Sequence, residues 1–112
     1  MDIETKTWLF DILTAVQEIE VFLADQPTGS SAHQTDIKTK RSIERDIEII
    51  GEAMSRILQK DESIQLSNSR KIVDTRNRII HGYDNVSDDI IQSIIQEHLP
   101  LLKSEVEKLL KD

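Results

Sequence analysis

The sequence predicts an all-α fold, and three observations predict it. Apolar residues recur at steps of three and four along most of the chain, the period of a helix with one buried face. Three glycines and two prolines in 112 residues are too few for the many tight turns of a β fold. Charged residues make up 31% of the chain and aromatic residues 4%, a balance suited to a small bundle with a large solvated surface. The length gives one domain, residues 1–112, rather than two.

Taken in order, the elements number four to five. Leu9, Ile12, Val16, Ile19 and Leu23 place a first amphipathic helix from about Ile3 to Asp25, with Trp8 and Phe22 widening its stripe. Gln26-Pro27-Thr28-Gly29-Ser30-Ser31 interrupts it and reads as a helix–helix connection. Thr35 or Asp36 is placed to cap the second helix, whose Ile43, Ile47, Ile50, Met54 and Ile57 repeat the same period. Two long helices joined this way form an antiparallel hairpin. Gly51 lies beside the second stripe, either to let a helix approach or as an ordinary helical glycine costing about 1 kcal/mol.

From Lys60 to Ser69 the period fades into turn and capping residues. A shorter helix starts near Ser69 and carries Ile72, Val73, Ile79 and Ile80 towards the core, with Gly82 as its terminator. Asp84-Asn85-Val86-Ser87 reads as a turn, and Ser87, Asp88 and Asp89 suit the next helix start. Ile90, Ile91, Ile94, Ile95, Leu99 and Leu102 form that helix's inner face. Pro100 marks a kink or a break, after which Val106, Leu109 and Leu110 continue. These stripes are wide for so small a domain, so a homodimer is expected to cover the surplus.

Composition narrows the function. The chain has no cysteine, which removes disulfides and thiolate metal sites. The N-terminus lacks a basic start and an apolar core, so no signal peptide is read. No apolar run approaches the roughly 20 residues that span a bilayer, and a cytoplasmic, non-membrane protein is expected. The net charge of −7, with mean hydropathy −0.39, argues against indiscriminate binding to nucleic acid. Locally the balance reverses: between Arg70 and Arg78, the bases Arg70, Lys71, Arg76 and Arg78 face only Asp74.

That basic run leads into Arg76-Asn77-Arg78-Ile79-Ile80-His81-Gly82-Tyr83, where two guanidinium groups, an amide, an imidazole and a phenol crowd together. At about 100° per residue, Arg76 and His81 leave a regular helix roughly 140° apart, whereas Asn77 and His81 share a face. Arg78 lies about 60° from His81 on the same count. Spacing alone also describes a C-terminal cap, with His81 and the arginines near the negative end of the dipole and Gly82 after them.

The segment resembles the Arg-x-x-x-x-His-x-Tyr motif of HEPN domains, in particular the HepT-like toxins paired with MntA-like minimal nucleotidyltransferase antitoxins. Arg76, His81 and Tyr83 stand at its three fixed positions, and Asn77 is the polar residue that often follows the arginine. Ile49-Ile50-Gly51-Glu52-Ala53 is similar to the family's second-helix signature, and the likeness spans roughly Ile43 to Leu110. One departure precedes the motif. Ser67-Asn68-Ser69-Arg70-Lys71 stands where members often carry tryptophan or proline.

The resemblance implies an all-α HEPN-type bundle and a metal-independent endoribonuclease that acts as a toxin, with its cleft at a dimer interface. Arg76 and His81 would be catalytic, with Asn77 and Arg78 supporting them or binding phosphate. Tyr83 would accept AMP from the antitoxin, which silences the toxin. RNA and the nucleotidyltransferase are the implied partners, and no cofactor or metal is implied. From another class, the same bundle would be a non-catalytic module that docks a nucleotidyltransferase and its substrate. Elsewhere, His33 is read as solvated and His98 as partly buried. Glu48 and Glu52 lack the histidines of a bundle metal site. Glu44, Asp46 and Glu48 are read as a solvated acidic face.

Overall fold

The computed structural model describes residues 1–24, 37–81 and 88–111, and all regular structure among them is helical. Helix α1 spans Ile3–Ala24, α2 Ile37–Lys60, α3 Ser69–Ile80 and α4 Asp88–Ser93. A π-helical turn, Ile94–His98, joins α4 directly to α5, Leu99–Lys111. Among the described residues no helix is long and apolar enough to cross a membrane. Thr35, Asp36, the Gln26–Ser31 connection, Gly82 and the Asp84–Ser87 turn lie outside the described residues, as does His33.

Side-chain chemistry fixes the end of the α1–α2 pair where α1 begins and α2 stops. The Asp2 carboxylate caps α1 by accepting the Thr5 N–H at 2.8 Å. That bond, reinforced by Lys60, holds the Asp2 carboxyl at about 2. Lys60, the last residue of α2, reaches Asp2 at 3.0 Å and Glu4 at 2.8 Å, with its Nζ 5.7 Å from the centre of the Trp8 ring. The end of α2 therefore meets the start of α1, and the two helices are antiparallel.

The stripe residues carry the core. Leu9, Ile12, Val16 and Ile19 of α1 pack with Ile43, Ile47, Ile50, Met54 and Ile57 of α2, each at most 2% exposed. At about 25 cal/mol per Å² of apolar surface removed from water, each such side chain contributes roughly 1.5–3 kcal/mol. Ile72 of α3 and Ile91, Ile94, Leu99, Leu102 and Val106 of the C-terminal run close the core. Ile80 does not join them. It stands 47% exposed, because at about 80° from Ile72 it has rotated off the face of α3 that meets α2.

The C-terminal run continues past Pro100 to Lys111, so this proline does not break it. Its ring would clash with the carbonyl four residues back and it donates no hydrogen bond. The chain meets this with the wider turn just before it, in which the Leu99 N–H reaches the Ile94 carbonyl. His98, in that turn, is partly buried, and both its ring nitrogens are enclosed without a hydrogen-bond partner.

The acidic face of α2 also differs from expectation. Glu44 is 9% exposed and Asp46 only 4%, since Asp46 lies one turn from both Ile43 and Ile50 and shares their side of the helix. Burial pushes the Asp46 carboxyl up to about 7, helped by a hydrogen bond and charge repulsion from Glu18 on α1 and opposed by Arg45. Because the folded value lies above the ordinary 3.8, folding favours the protonated group. Its stabilising effect is full below about 4 and is lost as pH rises through about 7. Thermal unfolding should therefore show lower stability at pH 8 than at pH 5, by roughly 1–3 kcal/mol. Asp46→Asn should flatten that dependence and be the more stable protein at pH 8.

Candidate active site

Helix α3 is set in place from both sides. Before it, Ile64 and Leu66 are each 6% exposed and anchor the connecting segment in the core. Ser67 is gripped by Glu105 of α5, through its N–H at 3.0 Å and its hydroxyl at 2.6 Å. Asn68 then turns the chain with φ 61°, a left-handed conformation that asparagine tolerates better than most residues. These contacts supply a defined helix start with neither tryptophan nor proline in Ser67–Lys71. The buried Thr75 hydroxyl donates to the Lys71 carbonyl at 2.9 Å, and the His81 N–H closes the last turn on the Asn77 carbonyl at 3.0 Å.

The close contact between α2 and α3 centres on Gly51. A methyl group there would lie 2.5 Å from Arg76 Cβ and 2.9 Å from its Cγ, both closer than carbon atoms can pack. Glycine is thus the residue that lets the stem of Arg76 lie across α2. The guanidinium is then held at two points. Nη2 pairs with the Glu52 carboxylate, and Nη1 donates to Asn77 Oδ1 at 2.7 Å. Glu52 also accepts from Arg56 Nε at 3.0 Å, so one carboxylate serves two arginines. Arg76 Nε is buried without a partner, and the side chain as a whole is 25% exposed.

Arg76 borders a cleft of about 340 Å³ built by α1, α2 and α3, with Trp8, Asp11, Arg45, Glu48, Arg56 and Ile80 on its walls. The charges along this cleft balance, and Arg45 and Glu48 neutralise each other at 3.1 Å. Glu48 and Glu52, considered from their spacing as metal carboxylates, are thus both engaged by arginines. Among the described residues no three histidine or acidic side chains converge where they could hold a metal ion.

The motif divides between two surfaces. Arg76 lines the α2 side, while Asn77 and Arg78 line a separate groove between α3 and α4. His81 is exposed at the end of α3, one turn beyond Asn77 on the same face. Asn77 is therefore the link, bonded to Arg76 through its side chain and to His81 through its backbone. Tyr83, the remaining motif residue, lies outside the described residues. Sequence reasoning did not foresee that Glu52 would hold Arg76. The signal available was its place beside Gly51 and one turn before Arg56.

Comparison with known proteins adds a family to this geometry. The family model described as "Ribonuclease HepT-like" matches residues 12–109. "Probable ribonuclease HepT" of Thermococcus cleftensis is 31% identical over 107 residues, covering 95% of this chain and 96% of that protein. "Putative RNase MJ1380" of Methanocaldococcus jannaschii is 30% identical over 106 residues, covering 93% and 94%. From the same organism, "Putative RNase MJ0127" is 26% identical over 113 residues, covering 97% and 89%. No solved structure gives a significant match.

Proposed function

The chain belongs to the HepT-like ribonuclease family, and from that premise we propose that it is the toxin of a toxin–antitoxin pair, a metal-independent endoribonuclease. The observation that carries this reading is the tethering of Arg76 across Gly51 to Glu52 and Asn77, on the helix that ends in His81. RNA brings its own nucleophile, the 2′-hydroxyl. Cleavage then needs a proton acceptor, a proton donor and positive charge beside a phosphorane. Imidazole is the side chain suited to exchanging protons near neutral pH, and His81 presents it to solvent. Arg76 offers a permanent, fork-shaped cation for the phosphate and its transition state. Asn77 fixes the relation between the two, and Arg78 supplies a second cation nearer to His81.

A second copy of the chain completes the cleft in this reading. Support comes from apolar surface left uncovered: Ile80 beside Arg76, and Ile3, Phe10 and Val21, which stand 81%, 55% and 57% exposed within about 40° of one line along α1.

Tyr83 is the regulatory acceptor. Its phenol, with an ordinary pKa of about 10, is a poor base, but its oxygen can attack the α-phosphorus of ATP on a nucleotidyltransferase and release pyrophosphate. The adenylate left behind adds bulk and negative charge close to His81, which excludes RNA. Incubation with an MntA-type nucleotidyltransferase and ATP should add one adenylate to the wild type and none to Tyr83→Phe, as read by intact mass. RNA cleavage should fall only in the modified wild type. Modification of Tyr83→Phe at another residue would remove Tyr83 from this role.

One observation favours a second reading, in which the bundle only docks its partner. Both terminal nitrogens of Arg76 are already engaged within the chain, as a purely structural strut would be. Such a module would bind the nucleotidyltransferase equally well with or without His81, and would cleave no RNA.

A further inference from the structure

Among the described residues, the groove between α3 and α4 gathers positive charge that no ion pair neutralises. Arg41, Arg45, Arg56 and Arg76 each hold a carboxylate, at 3.6 Å, 3.1 Å and 3.0 Å for the first three. Arg70 and Arg78 are the described arginines that hold none, and both line this groove together with the equally unpaired Lys71. One acid, Asp74, stands among them. In a chain of net charge −7, this grouping is not an average property of the surface.

Its geometry suits a linear polyanion. Arg70, Asp74 and Arg78 follow one another at four-residue steps, so the arginines are about 12 Å apart along α3 while the row turns about 80° round it. That length covers several phosphates at about 3.4 Å per nucleotide of a stacked strand. Asn77 completes the set: its Oδ1 accepts from Arg76, and its two amide N–H groups are donors suited to the groove. Ile90 of α4 provides an apolar wall against which a ribose or base can rest. The groove then leads, one turn past Asn77, to His81.

We propose that the α3–α4 groove is the bed for an RNA strand, in which Arg70, Lys71 and Arg78 pair with successive phosphates and deliver the chain to His81. This assignment rests on the reading of the protein as one that acts on RNA. It adds a binding track on the opposite side of α3 from the Arg76–Glu52 contact.

The test is fluorescence anisotropy with a labelled 2′-O-methyl oligouridine, which cannot be cleaved because its nucleophile is blocked. Wild type is compared with Arg70→Glu/Lys71→Glu, acids in the first turn of a helix that its dipole favours, so the fold is retained. Lys6→Glu/Lys38→Glu, at unpaired lysines in the first turns of α1 and α2, makes the same change in net charge elsewhere. The wild type and the Lys6/Lys38 variant should bind alike. The Arg70/Lys71 variant should bind at least about tenfold more weakly. Its slope of log affinity against log salt should be shallower by about 1.4, two contacts at about 0.7 each.

No binding by the wild type would overturn the assignment, leaving the groove to an acidic protein partner. Equal binding by all three proteins, or equal weakening in both variants, would overturn it too. Cleavage is read separately with unmodified RNA. If binding follows the expected pattern while the wild type cuts nothing, the groove assignment stands and the ribonuclease reading fails.

Discussion

Replacing Gly51 by alanine is expected to destabilise the protein by about 1–3 kcal/mol, the usual cost of forcing extra volume into a packed contact. For a domain near 100 residues, each kcal/mol lowers the melting temperature by roughly 4–8 °C. The sign makes this prediction informative. At a helical position with room for a methyl group, glycine to alanine stabilises by up to about 1 kcal/mol. Here the new carbon would sit 2.5 Å from Arg76 Cβ, an atom that cannot swing aside without moving α3. Relief should come from the other partner. In an Arg76→Gly background both crowded atoms are gone, so the same Gly51→Ala change should turn neutral or stabilising. Urea denaturation of the four proteins in this cycle measures the coupling. Gly51→Ala as stable as the wild type would show that the two helices do not meet this closely.

That contact also shows what the sequence could and could not convey. The stripes of α1 and α2 were legible because every third or fourth residue is large and aliphatic, and burial of such residues dominates the folding energy. Arg76 was legible as part of a motif, but not as a residue on the packing face of α3. It lies about 40° from Ile72 on the helical wheel, inside the stripe that meets α2, while Ile80 lies outside it. A periodicity count assigns isoleucine inward and arginine outward, and the structure reverses both. The cause is tertiary, since only a glycine on the facing helix and a carboxylate beside it make room for a guanidinium there.

Asp46 illustrates the same limit. A carboxylate next to Glu44 and Glu48 in sequence reads as solvated, yet its position one turn from Ile43 and Ile50 buries it. The segment before α3 reads as polar turn chemistry, and its anchoring by Ile64, Leu66 and Glu105 depends on a helix almost forty residues later. Local pattern carries none of that information.

The larger functional effect is expected at the motif. His81→Ala should lower RNA cleavage by about 10²–10⁴-fold, the range for loss of a positioned acid or base. Arg76→Ala should cost about 10²–10³-fold, the range for removing one group that stabilises developing negative charge. Arg76→Lys is not a rescue in this account. A lysine keeps the charge but carries all its donors on one nitrogen, so it lacks the planar fork that turns Nη2 to Glu52 and Nη1 to Asn77. The double variant should be little worse than His81→Ala, because groups that act in one step are not additive. Each variant should melt within a few degrees of the wild type at His81, which is exposed, and lower at Arg76, whose loss leaves Glu52 with Arg56 alone.

At the centre of the proposed function is RNA cleavage through His81 and Arg76 without a metal ion. Purified protein, shown by intact mass to carry no adenylate, would be incubated with RNA in excess chelator, alongside His81→Ala and Arg76→Ala. The account predicts cleavage that survives chelation in the wild type and is lost in both variants. Wild-type protein that leaves RNA intact, or cleavage that persists undiminished in His81→Ala, would contradict it.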